Sequence, residues 1–227
     1  MAENLLEEAI LAIRTGNQQK AEQLIHQIAS ASDDVLDILV KELQPPGKLP
    51  QALAIRIIRV IGYPKNQSAI PELLYHIGDP NLPGWLEAVH TLTDMGPDVI
   101  VPHLVKALLE KGEPYHTLAG KNQTWAYDVE GICSMLSLSS LEREYALRCC
   151  PAINTLLSSA KPASSPEIDS LLDVVEKAGN QVHYVLPTLI AIAQKFPTSD
   201  DGKHAKHLIS TFEPETLVIY RLLIDQL

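Results

Sequence analysis

A chain of 227 residues, 46% of them hydrophobic and with Gly and Pro at ordinary levels, can bury a substantial core, which excludes disordered and fibrous classes. Its formal net charge of -10 repels a phosphate backbone, whose affinity for protein comes mostly from Lys and Arg, and so speaks against a nucleic-acid partner. No apolar run reaches the roughly 18 to 20 residues that cross a bilayer, and the acidic start Met1-Ala2-Glu3-Asn4 lacks the layout of a secretory signal, so the chain reads as cytoplasmic, with no membrane contact.

In chain order, helical periodicity predicts helices over 3–14, 17–31 and 33–43, which together form an amino-terminal cap over 1–44. The string Gln44-Pro45-Pro46-Gly47-Lys48-Leu49-Pro50 then breaks the chain. Two helical pairs follow over 49–111, closing at Gly62 and Gly96 and reopening at Pro71 and Pro102. A Gly/Pro-containing loop over 111–121 leads into helices over 122–136 and 141–158, and 161–166 is a second break. A third pair uses Gly179 and Pro187, and helices over 200–211 and 213–227 end the chain. No sustained period-two alternation bounded by turn residues predicts a strand.

The three pairs share a register. One, four, seven and eight residues before each glycine stand Ile61, Ile58, Ile55 and Ala54; Met95, Leu92, Val89 and Ala88; Ala178, Val175, Leu172 and Leu171. These spacings make one apolar helical stripe. A second stripe brackets each proline: Ile70, Leu73, Leu74 and Ile77; Val101, Leu104, Val105 and Leu108; Leu186, Leu189, Ile190 and Ala193. Glycine after the last periodic residue accepts the left-handed conformation that closes a helix, and proline in a first turn gives up an amide that lacks an intrahelical partner anyway. Each unit therefore reads helix, turn, helix.

Units of this length, with a proline near the start of the second helix and stripes on both, resemble HEAT and armadillo repeats, whose usual period is somewhat longer. The stretch Ile70-Pro71-Glu72-Leu73-Leu74 through Asp79-Pro80-Asn81-Leu82-Pro83-Gly84-Trp85 to Val101-Pro102-His103-Leu104 resembles a small bacterial family of HEAT-like domains with an Asp-x-Asn-x-Pro turn between repeats. That resemblance covers about 50–111, departs at Leu82 where tryptophan is common, and carries no activity with it. It implies an all-α, right-handed α-solenoid of about six helical hairpins, a single domain over 1–227 whose carboxy-terminal repeats occupy 122–227. Asp79 and Asn81 suit local turn bonds, and Trp85 suits packing on the next repeat with a partner for its indole N–H.

Candidate chemistry is sparse. His204 and His207 stand three apart near Asp200 and Asp201, a metal-ligand spacing, but their setting is basic and no third ligand is fixed. Glu87 and His90 echo a di-iron half-site without its second copy. Cys133, Cys149 and Cys150 read as buried thiols. No nucleophile elbow, phosphate loop or paired-Cys zinc signature occurs. The expectation is therefore no catalytic residue, no metal and no cofactor. If second helices line the concave face, the positions one, four and five after each proline are the binding positions. They are Glu72, Tyr75 and His76; His103, Lys106 and Ala107; Thr188, Ala191 and Ile192. Glu72, Tyr75, His76, His103 and Lys106 form the candidate patch for a protein or peptide partner. Two alternatives remain: a lyase- or isomerase-type subunit using Cys133 or His116, and an immunity or antitoxin-like protein whose acidic surface masks a basic partner.

Overall fold

The computed structural model describes residues 2–31, 34–43, 51–78, 82–110, 116–117, 124–125, 129–159, 166–225 and 227. The helices in order are α1 (Ala2–Arg14), α2 (Gln18–Ala29), α3 (Asp34–Leu43), α4 (Gln51–Ile61), α5 (Ile70–Ile77), α6 (Trp85–Asp94) and α7 (Pro97–Leu109). They continue with α8 (Val129–Ser137), α9 (Arg143–Ser159), α10 (Pro166–Ala178), α11 (Leu186–Lys195), α12 (Asp200–Thr211), α13 (Pro214–Val218) and α14 (Arg221–Ile224). Among the described residues the chain is thus all-helical apart from one two-residue antiparallel pairing, β1 (His116–Thr117) with β2 (Thr124–Trp125). That pairing falls where a helix over 122–136 is expected from sequence; Thr124 and Trp125 favour extended backbone, and α8 begins only at Val129. Among the described residues no helix is long and apolar enough to cross a membrane.

The backbone sorts into two compact units, 1–103 with 113–127 and 104–112 with 128–227. Within the first, α1 packs on α2, the helices α2, α4 and α6 touch in succession, and α3 packs on α4 and α5. Within the second, α8, α10 and α12 touch in succession while α9 packs on α10 and α11. Alternate helices forming a row, with the intervening ones laid against it, is how a hairpin repeat buries stripes that a single helix leaves open.

The glycine register is observed: Gly62, Gly96 and Gly179 have φ of 74, 88 and 63 and follow the ends of α4, α6 and α10. After Gly62 and Gly179 a short 3-10 segment (Lys65–Ala69 and Gly179–Val185) leads into the second helix, with Pro71 and Pro187 in its first turn. The second copy departs. Pro97 directly follows Gly96 and presets the helical φ, so α7 starts there and Pro102 falls inside the helix instead of opening it. Both stripes are buried as the periodicity requires, Ile58, Leu92, Leu172, Leu73, Leu104 and Leu189 completely; Ile61 and Val105, at stripe margins, are half-exposed.

In the first unit the entry to α6 is tied to α5. His76 is fully buried and its Nε2–H donates to the Pro83 carbonyl at 2.7 Å, while Trp85 Nε1 donates to the Ile77 carbonyl at 2.8 Å, the partner expected for the indole. Gly84 at the head of α6 has φ 89, and a Cβ there would stand 2.8 Å from Ala52 Cα of α4. The intervening Asp79, Pro80 and Asn81 lie outside the described residues.

Candidate functional site

The positions one, four and five after each proline do not share one environment. Glu72 and Tyr75 on α5 and His103 on α7 are half-buried, and Lys106 is exposed, 3.9 Å from Glu110 one turn on. His76, counted with them from sequence, has no exposed surface and belongs to the packing between α5 and the head of α6. Ala107 and Ile192 are buried as well. The reason is that a fifth position after the proline lies at the edge of the apolar stripe, and whether it meets solvent depends on how close the neighbouring chain passes. In the third copy Thr188, Ala191 and Ile192 line a groove of about 260 Å³ between α9 and α11, with Leu157, Ser158 and Lys195. Thr188 Oγ1 donates to Asn154 Oδ1 at 2.7 Å and stands 3.2 Å from Ser158 Oγ, so one wall of the groove is held by hydroxyls.

The cysteines sit in the packed interior, all three fully buried. Burial pushes Cys149 and Cys150 up to about 12, with their mutual repulsion adding to Cys149. A thiol so far above neutral pH holds almost no thiolate, the nucleophilic form. Iodoacetamide at pH 8 is therefore expected to label none of the three in the native chain and all three in 6 M guanidinium; rapid native labelling of Cys133 would revive the lyase reading. The His116 side chain lies outside the described residues, and only its backbone pairing with Trp125 is defined.

The histidine pair of α12 divides. His207 is exposed, whereas His204 turns toward α10 with a side chain only 18% exposed. Its Nδ1 lies 2.8 Å from Asp169 Oδ1 and its Nε2 lies 3.6 Å from Glu176 Oε2. Asp173, one turn from Asp169, completes a set in which one oxygen each of Asp169 and Asp173 and a ring nitrogen of His204 all lie within 4.8 Å of one another. Asp200 points away to Lys203 at 2.9 Å, and that lysine holds its carboxyl below the usual range. Asp201 is 6% exposed and hydrogen-bonds to no described side chain; burial, then the charges of Asp169 and Asp200, push its carboxyl up. Burial and Asp169 push Asp173 up likewise. For an acid raised in the fold, the ionised form works against folding above the folded pKa, and acidification through that pKa relieves it.

Sequence reasoning dismissed His204 for want of a third ligand, and the missing ligands come from α10, about 30 residues earlier in the chain. Their signal was present: Asp169, Asp173 and Glu176 stand at i, i+4 and i+7, one edge of a helical face. Glu87 and His90, by contrast, are half-buried on α6 and join no such group among the described residues.

No protein-family model matches this chain, nor does any curated protein or solved structure. The site is thus read from its own geometry, to which one more surface belongs. At the carboxy-terminal end Val218, Ile219, Leu222 and Leu223 are all exposed, Ile219 at 78% and Leu222 at 84%, flanked by exposed Glu213, Glu215 and Asp225.

Proposed function

We propose that the chain is a non-enzymatic, cytoplasmic, HEAT-like repeat protein, a right-handed α-solenoid whose second helices dock a protein or peptide partner. The observation that carries this reading is the groove between α9 and α11, because it is lined by Thr188, Ala191 and Ile192, the positions that the repeat register assigns to the binding face. At about 260 Å³ and with Lys195 the one ionisable lining residue, it falls short of the roughly 300 to 1,000 Å³ and the convergent polar groups of a small-molecule site. A side chain of a larger partner suits it better. The uncovered Val218, Ile219, Leu222 and Leu223 support a partner of protein size, since four large apolar residues so close together are more than the scattered exposure of an ordinary surface. With a net charge of -10 and acidic residues around that segment, the partner has an apolar centre and a basic rim. Glu72, Tyr75, His103 and Lys106 are the counterpart positions on earlier second helices, while His76 is fully buried.

The test fills the groove. Ala191 is exposed on its wall, so Ala191→Arg is expected to leave the melting temperature unchanged and to weaken partners captured by the wild type more than tenfold. Leu222→Glu is expected to weaken them too. Partners retained at unchanged affinity by both variants would remove this surface from the reading.

A further inference from the structure

We propose that Asp169, Asp173 and His204 form a binding site for a divalent transition ion of the zinc type, with Glu176 orienting the imidazole from its second ring nitrogen. The site lies entirely within the second unit, between α10 and α12, and is independent of the partner-binding groove. Three side chains offering one nitrogen and two oxygens within 4.8 Å are close to a three-ligand zinc set, in which bonds of about 2.0 Å place ligand atoms about 3.3 Å apart and leave a fourth position to water. Asp169 is 60% exposed at its side chain, so a small rotation closes the difference. The mixed imidazole and carboxylate set selects zinc or a similar ion over magnesium or calcium, which favour oxygen alone.

Charge points the same way. Asp169, Asp173, Glu176 and Asp201 face a single imidazole, which even when protonated offsets one of the four. The neighbouring cations are engaged elsewhere: Lys177 donates to the Leu138 carbonyl at 2.9 Å and Lys203 to Asp200. Asp201, on the first turn of α12 and 6% exposed as a residue, adds a further negative charge near Asp169 and His204. Glu176 Oε2 stands 3.6 Å from His204 Nε2, near enough to close on it as the outer carboxylate that commonly fixes the ring of a metal-bound histidine.

Titration calorimetry on the full chain, stripped with EDTA and dialysed, tests this with zinc, magnesium and calcium salts. Expected are one zinc ion per chain at this site and a rise in melting temperature of about 5 °C at a hundredfold excess over Kd. Asp173→Asn and His204→Gln are expected to weaken zinc by about 10- to 100-fold, while His207→Gln, on the exposed side of α12, leaves it unchanged. The melting temperature of Asp173→Asn and His204→Gln without metal separates a lost site from a lost fold. Absence of saturable zinc binding to the wild type overturns the proposal, as does undiminished zinc affinity in Asp173→Asn and His204→Gln, or tighter binding of magnesium than of zinc.

Discussion

Gly202→Ala is expected to destabilise the second unit by about 3 kcal/mol, against the usual gain of about 1 kcal/mol for that change inside a helix. Gly202 lies in the first turn of α12 and is buried. Ser199 caps this turn: its Oγ accepts from the Gly202 amide at 3.1 Å and donates to the Phe196 carbonyl at 3.1 Å. The Ser199 amide donates to the same carbonyl at 3.2 Å, and the Phe196 amide is held by Ile192 at 2.9 Å. A Cβ on Gly202 would overlap the Phe196 carbonyl oxygen, which is backbone fixed on both sides and cannot swing aside as a side chain would. The comparison is Gly96→Ala, where space is open but φ is 88; strain of the left-handed conformation alone makes its cost about 1 to 2 kcal/mol. Thermal denaturation followed by circular dichroism should place Gly202→Ala well below Gly96→Ala, by about 2 to 4 °C for each kcal/mol of difference. A melting temperature for Gly202→Ala at or above the wild type would mean that the Phe196 carbonyl does not approach α12 as described.

Leu92→Ala and Leu172→Ala, four and seven residues before their glycines, are each expected to cost about 3 kcal/mol, within the usual span of about 2 to 5 for a fully buried leucine. Both side chains have no exposed surface, and each lies in a row of helices contacted from more than one side, so the void left by truncation cannot close by moving one neighbour. Arg59→Ala supplies the contrast. Arg59 meets Asp94 at 2.6 Å, yet both side chains are about half exposed, and the loss should stay within about 0.5 kcal/mol. Urea midpoints at constant m measure the difference. A cost below about 1 kcal/mol for either leucine would show that the shared register does not mark the core.

The stripes were legible because helical burial has a period, and Ile58, Leu92 and Leu172 announce it without knowledge of any neighbour. The closing glycines were legible for a local reason too, the left-handed φ that they alone adopt without strain. Pro102 was misread because Pro97, five residues earlier, competes for the same first-turn role. His76 was misread as surface because its exposure depends on the Pro83 carbonyl of the following turn, which no helical wheel contains.

The cluster at α10 and α12 marks the same boundary at the level of chemistry. From the sequence alone follow an all-helical chain, the ends of its repeated helices, its buried stripes and its acidic balance, because each depends on residues within a few turns of one another. Only the tertiary structure decided that His204 parts from His207 and that it meets Asp169, Asp173 and Glu176. Those pairings span about 30 residues of chain and depend on how two helices lie against each other, a relation set by packing that no local spacing encodes.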